Sequence, residues 1–396
     1  MKPLQKLLII VLVAMVLMFI SNSYVVNTIK DRAIIVGLGI DYADGNYEVT
    51  GEVICAKQAP PEGGGSSQFS QMVTGKGKTV SLAIYDIYVK TGKLPSISQC
   101  GVMVLGEGLY KNENLENFFG HFIQSDAFPD GSLVACCKGG AKELFGKVTP
   151  LDQSVSFGLQ SIISGSEGNT GIPFNYMSKF IVSQMTSSAS GYLTLLTFEK
   201  DEDASGQETK KETGFFKTDN VAVFTDFSYV AELEKEEIRG MTLLTEPSAF
   251  ETFAVEASVT PQAYSHKVGI GTKAKKIEKE LNFDESGTIT YDIKIFMDCE
   301  RLRTDSTGEV SKLLEKKFSS LDPSMKKQVE EQVKAYVKAV IDKSVETNCD
   351  FLGISDQYYK KYGKKWIAYK QDNPQILSKI KFTVEAEVDK NEEFET

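Results

Sequence analysis

From Leu7 to Ile29 the chain carries no charged residue, and its apolar positions are densest over Leu7–Ile20. Lys2 and Lys6 stand before this run, and Ser21-Asn22-Ser23 closes its dense part. A charged start, an apolar centre and a small-residue exit are the parts of a secretory signal. The whole span is also long enough to cross a bilayer as an uncleaved anchor, with the two lysines holding the amino end inside. Residues 1–23 are thus a signal peptide or a membrane anchor, and the remainder is expected to fold on the far side of a membrane.

Beyond residue 24 the pattern predicts strands alternating with helices. Ile34–Ile40 is almost continuously apolar and Tyr47–Ala56 alternates, so the two read as paired strands joined at Asp44-Gly45-Asn46, a hairpin turn signal. Pro60 to Ser67 reads as a flexible loop. Leu82, Ile84, Tyr85, Tyr88 and Val89 recur at helical intervals. Gly101–Gly106 and Leu133–Cys137 are short buried strands, while Leu115–Ile123, Pro150–Ile163 and Asn175–Gln184 are helices. Residues 201–213 hold no large apolar side chain and form a charged linker or a loop at a hairpin tip.

After them come strands at Val221–Phe224 and Tyr229–Leu233, followed by Ile238–Leu244. Tyr291–Asp298 alternates cleanly. Asp322-Pro323 opens a long helix, the aspartate as N-cap and the proline at the first helical position. Met325, Val329, Val333, Tyr336, Val337, Val340, Ile341 and Val345 form one apolar stripe along it. Ile380–Val388 alternates apolar with polar residues, and its apolar face should cover that helix. The fold class expected is α+β and multi-domain, mixed β-sheets packed with helices after the N-terminal segment.

Size sharpens this picture. Without the leader about 370 residues remain, more than one hydrophobic core ordinarily holds. The expected division is an N-terminal region at 24–200 (one or two subdomains), the charged segment at 201–213, a C-terminal domain at 214–390 and a tail at 391–396. A net charge of −10 argues against a nucleic-acid or acidic-membrane binder, since both need basic patches to displace counterions. Cys55, Cys100, Cys136, Cys137, Cys299 and Cys349 are too sparse for a disulfide framework and are expected as buried thiols. Cys136 and Cys137, adjacent on one strand, should point to opposite faces.

Candidate chemistry is thin. Asp201 to Glu212 matches a calcium loop at several ligand positions, but Glu208 replaces its apolar anchor and the flanks read as strands, so no metal site is expected. Gly37-Leu38-Gly39 lacks the third glycine and the following helix of a dinucleotide fingerprint and reads as a strand end where backbones approach. Gly269-Ile270-Gly271-Thr272-Lys273 lacks the end of a phosphate loop. His121 and His266 have neither a zinc-protease context nor a nucleophile elbow nearby. No catalytic, cofactor-binding or metal-binding residue is assigned, and no cofactor. The residues leave open a solute-binding or sensory protein, or a hydrolase built on paired carboxylates.

Several short motifs stand in one order: Ala33 to Asp41 (AIIVGLGID), Gly92-Lys93-Leu94, Val102 to Glu107 (VMVLGE), Val221-Ala222-Val223-Phe224, Ala231-Glu232-Leu233, Glu237-Ile238-Arg239-Gly240, Cys349 to Ile354 (CDFLGI) and Lys365-Trp366. In this order the chain resembles the Ger(x)C subunits of spore-germination receptors, the GerAC and GerBC type. The resemblance implies a non-enzymatic, extracytoplasmic α/β subunit at the spore inner membrane. It implies partners too, an A-type and a transporter-like B-type membrane subunit, acting together in nutrient sensing. One departure is plain: family members usually carry a lipobox cysteine and then a tryptophan before the opening strand, where this chain has Ser23 and Tyr24.

Serine offers no thiol for diacylglyceryl attachment, so the protein from spore membranes should carry no lipid at its amino end. Intact mass should show a chain that retains Met1–Ile20 or begins near Tyr24. Palmitate incorporated at the amino end would contradict this.

Overall fold

Asp44 and Gly45 both have positive φ, 52° and 72°, and they connect two strands whose Ala43 and Asn46 pair directly. This is the two-residue turn that the right-handed twist of a hairpin favours. The computed structural model describes residues 31–54, 70–124, 128–147, 154–170, 172–200, 213–245, 250–259, 264–284, 287–301 and 323–388, with Gln5, Leu12, Met15 and Thr149. The rest of the leader, Ser23, Cys55, residues 201–212, Asp322 and the tail lie outside them. Among the described residues no helix is long and apolar enough to cross a membrane.

The first half builds a ten-stranded sheet. Its hairpin, β1 (Arg32–Ala43) and β2 (Asn46–Ile54), extends to β3 (Ser70–Gly77), after which α1 (Val80–Thr91) leads into β4 (Leu94–Ser96). There follow β5 (Val102–Leu105), α2 (Glu107–Asn112), α3 (Glu116–Ile123), β6 (Leu133–Cys137), α4 (Ala141–Phe145) and α5 (Val155–Thr170). The sheet is completed by β7 (Asn175–Tyr176), then, after α6 (Met177–Met185), by β8 (Ser190–Lys200), β9 (Gly214–Thr225) and β10 (Ser228–Leu233). The order is β10-β9-β8-β6-β5-β1-β2-β3, with β4 on β1 and β7 on β6. β1, β5, β6 and β8 run parallel in its centre.

Helices cover both faces, so the central strands are apolar on both sides. Met103, Leu105, Val134 and Cys136 join one core with Phe118, Phe119, Phe122 and Phe180. Val102, Val104, Ala135 and Cys137 join the opposite core with Leu144, Phe145 and Leu159. Cys136 and Cys137 therefore face opposite ways. The charged segment beginning at Asp201 connects β8 to β9, which pair antiparallel with Lys200 opposite Gly214.

The second half starts with α7 (Lys235–Thr245), the Ile238–Leu244 stretch that follows the two strands in the sequence pattern. Glu237 reaches back to the amide of Glu234 at 2.7 Å, the side-chain half of a capping box, and this starts a helix rather than a third strand. A four-stranded sheet, β11 (Phe250–Val259), β12 (Tyr264–Phe283), β13 (Ile289–Arg301) and later β14 (Ile380–Val388), is ordered β11-β12-β13-β14. Before β14 come α8 (Pro323–Thr347), α9 (Ile354–Tyr362) and α10 (Lys364–Asp372). The α8 stripe is buried as expected at Met325, Val329, Val333, Val337, Val340 and Ile341. The fold is α+β, mixed sheets packed with helices.

What joins the two sheets is the turn before α9. Asp350 is 4% exposed and accepts the amides of Ile354 (2.8 Å) and Ser355 (2.6 Å) at the helix start. Its own amide donates to Ser190 on β8 at 3.2 Å, and Cys349 donates to the Phe224 carbonyl on β9. Ser188 and Asp356 exchange two further hydrogen bonds, at 3.0 and 3.2 Å. One hydrophobic core crosses the same junction, from Tyr192, Val221 and Val223 to Ile293, Ile295 and the α8 stripe.

Removing the Asp350 carboxylate leaves two buried amides without acceptors, which costs roughly 1–3 kcal/mol. Asp350→Ala should lower stability by about that much in urea unfolding. A change within about 0.5 kcal/mol, the range of an ordinary surface substitution, would show that the junction is dispensable.

Candidate functional site at the carboxyl edge of the parallel strands

Ligands of open α/β sheets gather where parallel strands end. Here Asp41 follows the last β1 residue paired with β5, β5 is followed by Glu107, and β6 by Lys138-Gly139-Gly140. Asp41 accepts the amides of Ala141 (2.7 Å) and Lys142 (2.8 Å), which start α4. Glu107 accepts the Gly139 amide at 2.9 Å, while its own amide donates to the Gly139 carbonyl at 2.8 Å. Gly139 sits at φ 77°, which lets the chain reverse between the two acids. Two carboxylates thus clamp one turn from both sides.

The surrounding charges are matched. Glu107 also takes Lys111 at 2.6 Å, Glu48 takes Lys142 at 2.5 Å and Lys76 at 3.3 Å, and Glu232 on β10 takes Lys138 at 2.8 Å. The Lys111 hydrogen bond, helped by the Gly139 amide, holds the Glu107 carboxyl below its ordinary range. Burial pushes Asp41 up, against the pull of the Lys142 and Ala141 amides. Beneath them Tyr110 is buried with its hydroxyl unpaired. A cavity of about 330 Å³ lies beside the turn, lined by Lys138, Glu143, Lys147, Phe198 and Lys200. Both acids are committed to backbone amides, so they act as structural clamps.

A third carboxylate, Glu52, is fully buried and repeats the device further along the hairpin. It accepts the amides of Val155 (3.2 Å) and Ser156 (2.7 Å) at the start of α5. Gly37 lets α5 sit this close, since a Cβ there would run into the Ser156 side chain. The glycine pair Gly37–Gly39 therefore lies in mid-strand rather than at a strand end, and what it admits are side chains of α4 and α5 rather than another backbone.

The remaining motif residues also hold elements together. Arg239 donates to the Tyr336 hydroxyl at 2.9 Å and lies over its ring, tying α7 to α8. A Cβ at Gly240 would strike the Tyr336 carbonyl, so only glycine permits this crossing. Trp366 is fully buried and stacks on Tyr358 at 4.4 Å, with Phe283 edge-on at 5.8 Å.

Gly269–Lys273 lies in the regular β11–β12 ladder, with Gly269 opposite Ala254 and Lys273 opposite Phe250. His266 is on the same strand, opposite Ala257. His121 is half-buried on α3 near Ser81 at 3.3 Å, and burial lowers its pKa. Cys100 and Cys349 are buried free thiols, pushed up by burial to about 12 and about 11. The calcium-like loop at 201–212 lies outside the described residues, and its flanks are the paired strands β8 and β9. Among the described residues no group of His, Cys, Asp and Glu side chains is placed to hold a metal.

Sequence comparison accounts for the motif order. Residues 26–198 match the family described as the spore germination protein N-terminal domain. Residues 219–391 match the one described as spore germination B3/GerAC like, C-terminal. The chain belongs to the Ger(x)C family of spore germination proteins. A curated relative, spore germination protein B3 of Bacillus subtilis strain 168, is 27% identical over 192 residues, 47% of this chain and 49% of that protein. The matched stretch thus spans about half the relative's length. A solved structure, the crystal structure of the GerBC protein, is 18% identical, with a TM-score of 0.48 over 89% of this chain and 96% of that one.

Because the Glu107 carboxyl is held below its usual 4.5, its contribution to stability is present above that pH and is lost as the pH falls through its lower folded value. The difference in urea midpoint between the wild type and Glu107→Gln should therefore be larger at pH 7 and shrink below pH 4.5. A difference that stays constant from pH 7 to strongly acidic conditions would contradict the clamp.

Proposed function

We propose that this Ger(x)C protein is the extracytoplasmic C subunit of a nutrient germinant receptor at the spore inner membrane. It acts with an A-type and a transporter-like B-type membrane subunit and performs no turnover of its own. The observation that carries the reading is the match of both family regions, in order, over residues 26–198 and 219–391. The engagement of the motif residues supports it. Asp41, Glu107, Arg239, Asp350 and Trp366 all hold elements of this chain together, the economy of a rigid docking body.

A subunit of this kind works by contact, binding one state of a membrane complex better than another and so shifting its population. The net charge of −10 discourages nonspecific adhesion to anionic surfaces while specific contacts form.

Deleting the gene in its own spore-former should impair germination on one nutrient class and leave the response through other receptors intact. Cross-linking in spore membranes should recover the protein with an A- or B-type subunit. Undiminished responses to every nutrient, together with no such partner, would remove the proposal.

A further inference from the structure

Among the described residues the edge of the four-stranded sheet at β14 is open, and β14 pairs with β13 alone. The Val388 amide turns to Glu330 of α8 at 3.1 Å instead of to β13. By the two-residue alternation of a strand, the N–H and C=O groups of Ala386, Val384 and Phe382 face the same open side. Phe382 and Val384 are half-buried, and beside them a groove of about 460 Å³ runs between β14 and α8, with Ile341, Val345 and Lys338 on its helix side. An edge whose outward backbone groups have no strand partner among the described residues, with apolar residues at its rim, is a template for strand addition.

The solvent face of β14 indicates which strand fits. Lys381, Thr383, Glu385 and Glu387 are all exposed. Reversed against itself about Thr383, this row is self-complementary: Lys381 meets Glu385 of a second copy, Glu385 meets its Lys381, and Thr383 meets Thr383. The same register sets Phe382 opposite Val384 and Ile380 opposite Ala386, all on the groove side. Registers that bring Glu385 opposite Glu385 or Lys381 opposite Lys381 place like charges together and are disfavoured. We propose that β14 is a homodimerisation edge, pairing antiparallel with β14 of a second copy about a two-fold axis at Thr383 and making one continuous eight-stranded sheet. The inference is independent of the receptor role.

One short strand pair buries little area, so the dimer is weak and needs a trap. Thr383 falls at a non-hydrogen-bonded pair, where Cα atoms lie about 4.5 Å apart, within disulfide reach. The full chain carrying Thr383→Cys should form a covalent dimer under mild oxidation, where the wild type does not. Adding Lys381→Glu should abolish that dimer, and adding both Lys381→Glu and Glu385→Lys should restore it.

A Thr383→Cys protein that is folded by circular dichroism, has a reactive thiol and remains monomeric would overturn the proposal. So would a disulfide that survives Lys381→Glu undiminished. In spore membranes, capture of a different protein by the Thr383→Cys variant in place of a second copy would assign the edge to another partner and also overturn it.

Discussion

The amides at a helix start need acceptors, and at three helices of this chain a carboxylate supplies them, twice from a strand far away in the sequence and once from the turn just before the helix. Asp41 serves α4, Glu52 serves α5 and Asp350 serves α9, each accepting two successive amides. Asp41 and Glu52 lie about 100 residues before the amides they accept, so each fixes a helix against a strand that folds far earlier in the sequence. A carboxylate buried without such partners would be costly. The helix and its acid are therefore placed together or not at all.

This constraint explains why the motif order is so legible while a reaction site is not. Asp41, Glu107, Gly240, Asp350 and Trp366 are each required at one position by packing or by backbone hydrogen bonds. Two surfaces among the described residues are open to recognition, the lysine-lined cavity near Gly139 and the groove beside β14, both assembled from residues outside those motifs. Motifs mark the frame, and function falls to the surfaces that the frame exposes.

Much of the frame could be read from local pattern. The β1–β2 hairpin, the two-faced strands β5 and β6 and the apolar stripe of α8 follow from period and turn chemistry. The 20-residue strand β12 is hidden because its Lys-Lys-Ile-Glu-Lys-Glu stretch reads as a solvated charge run, and because a bulge between Ala274 and Lys276 breaks the alternation that resumes at Ile277, Lys279 and Leu281. Ile238–Leu244 is too short and apolar for periodicity to separate strand from helix, and the Glu234–Glu237 cap decides it. The clamps at Asp41 and Glu52 were not legible at all, because nothing local ties an acid at the end of a strand to a turn about 100 residues later.

If Asp350 couples the two sheets, they should open as one unit. Native-state hydrogen exchange reads this directly through the amides of β9 and β13. In the wild type both strands should exchange with the same opening free energy. In Asp350→Ala, β13 should open more readily than β9. Two separate opening energies already present in the wild type, or coupling undisturbed by the substitution, would contradict the account.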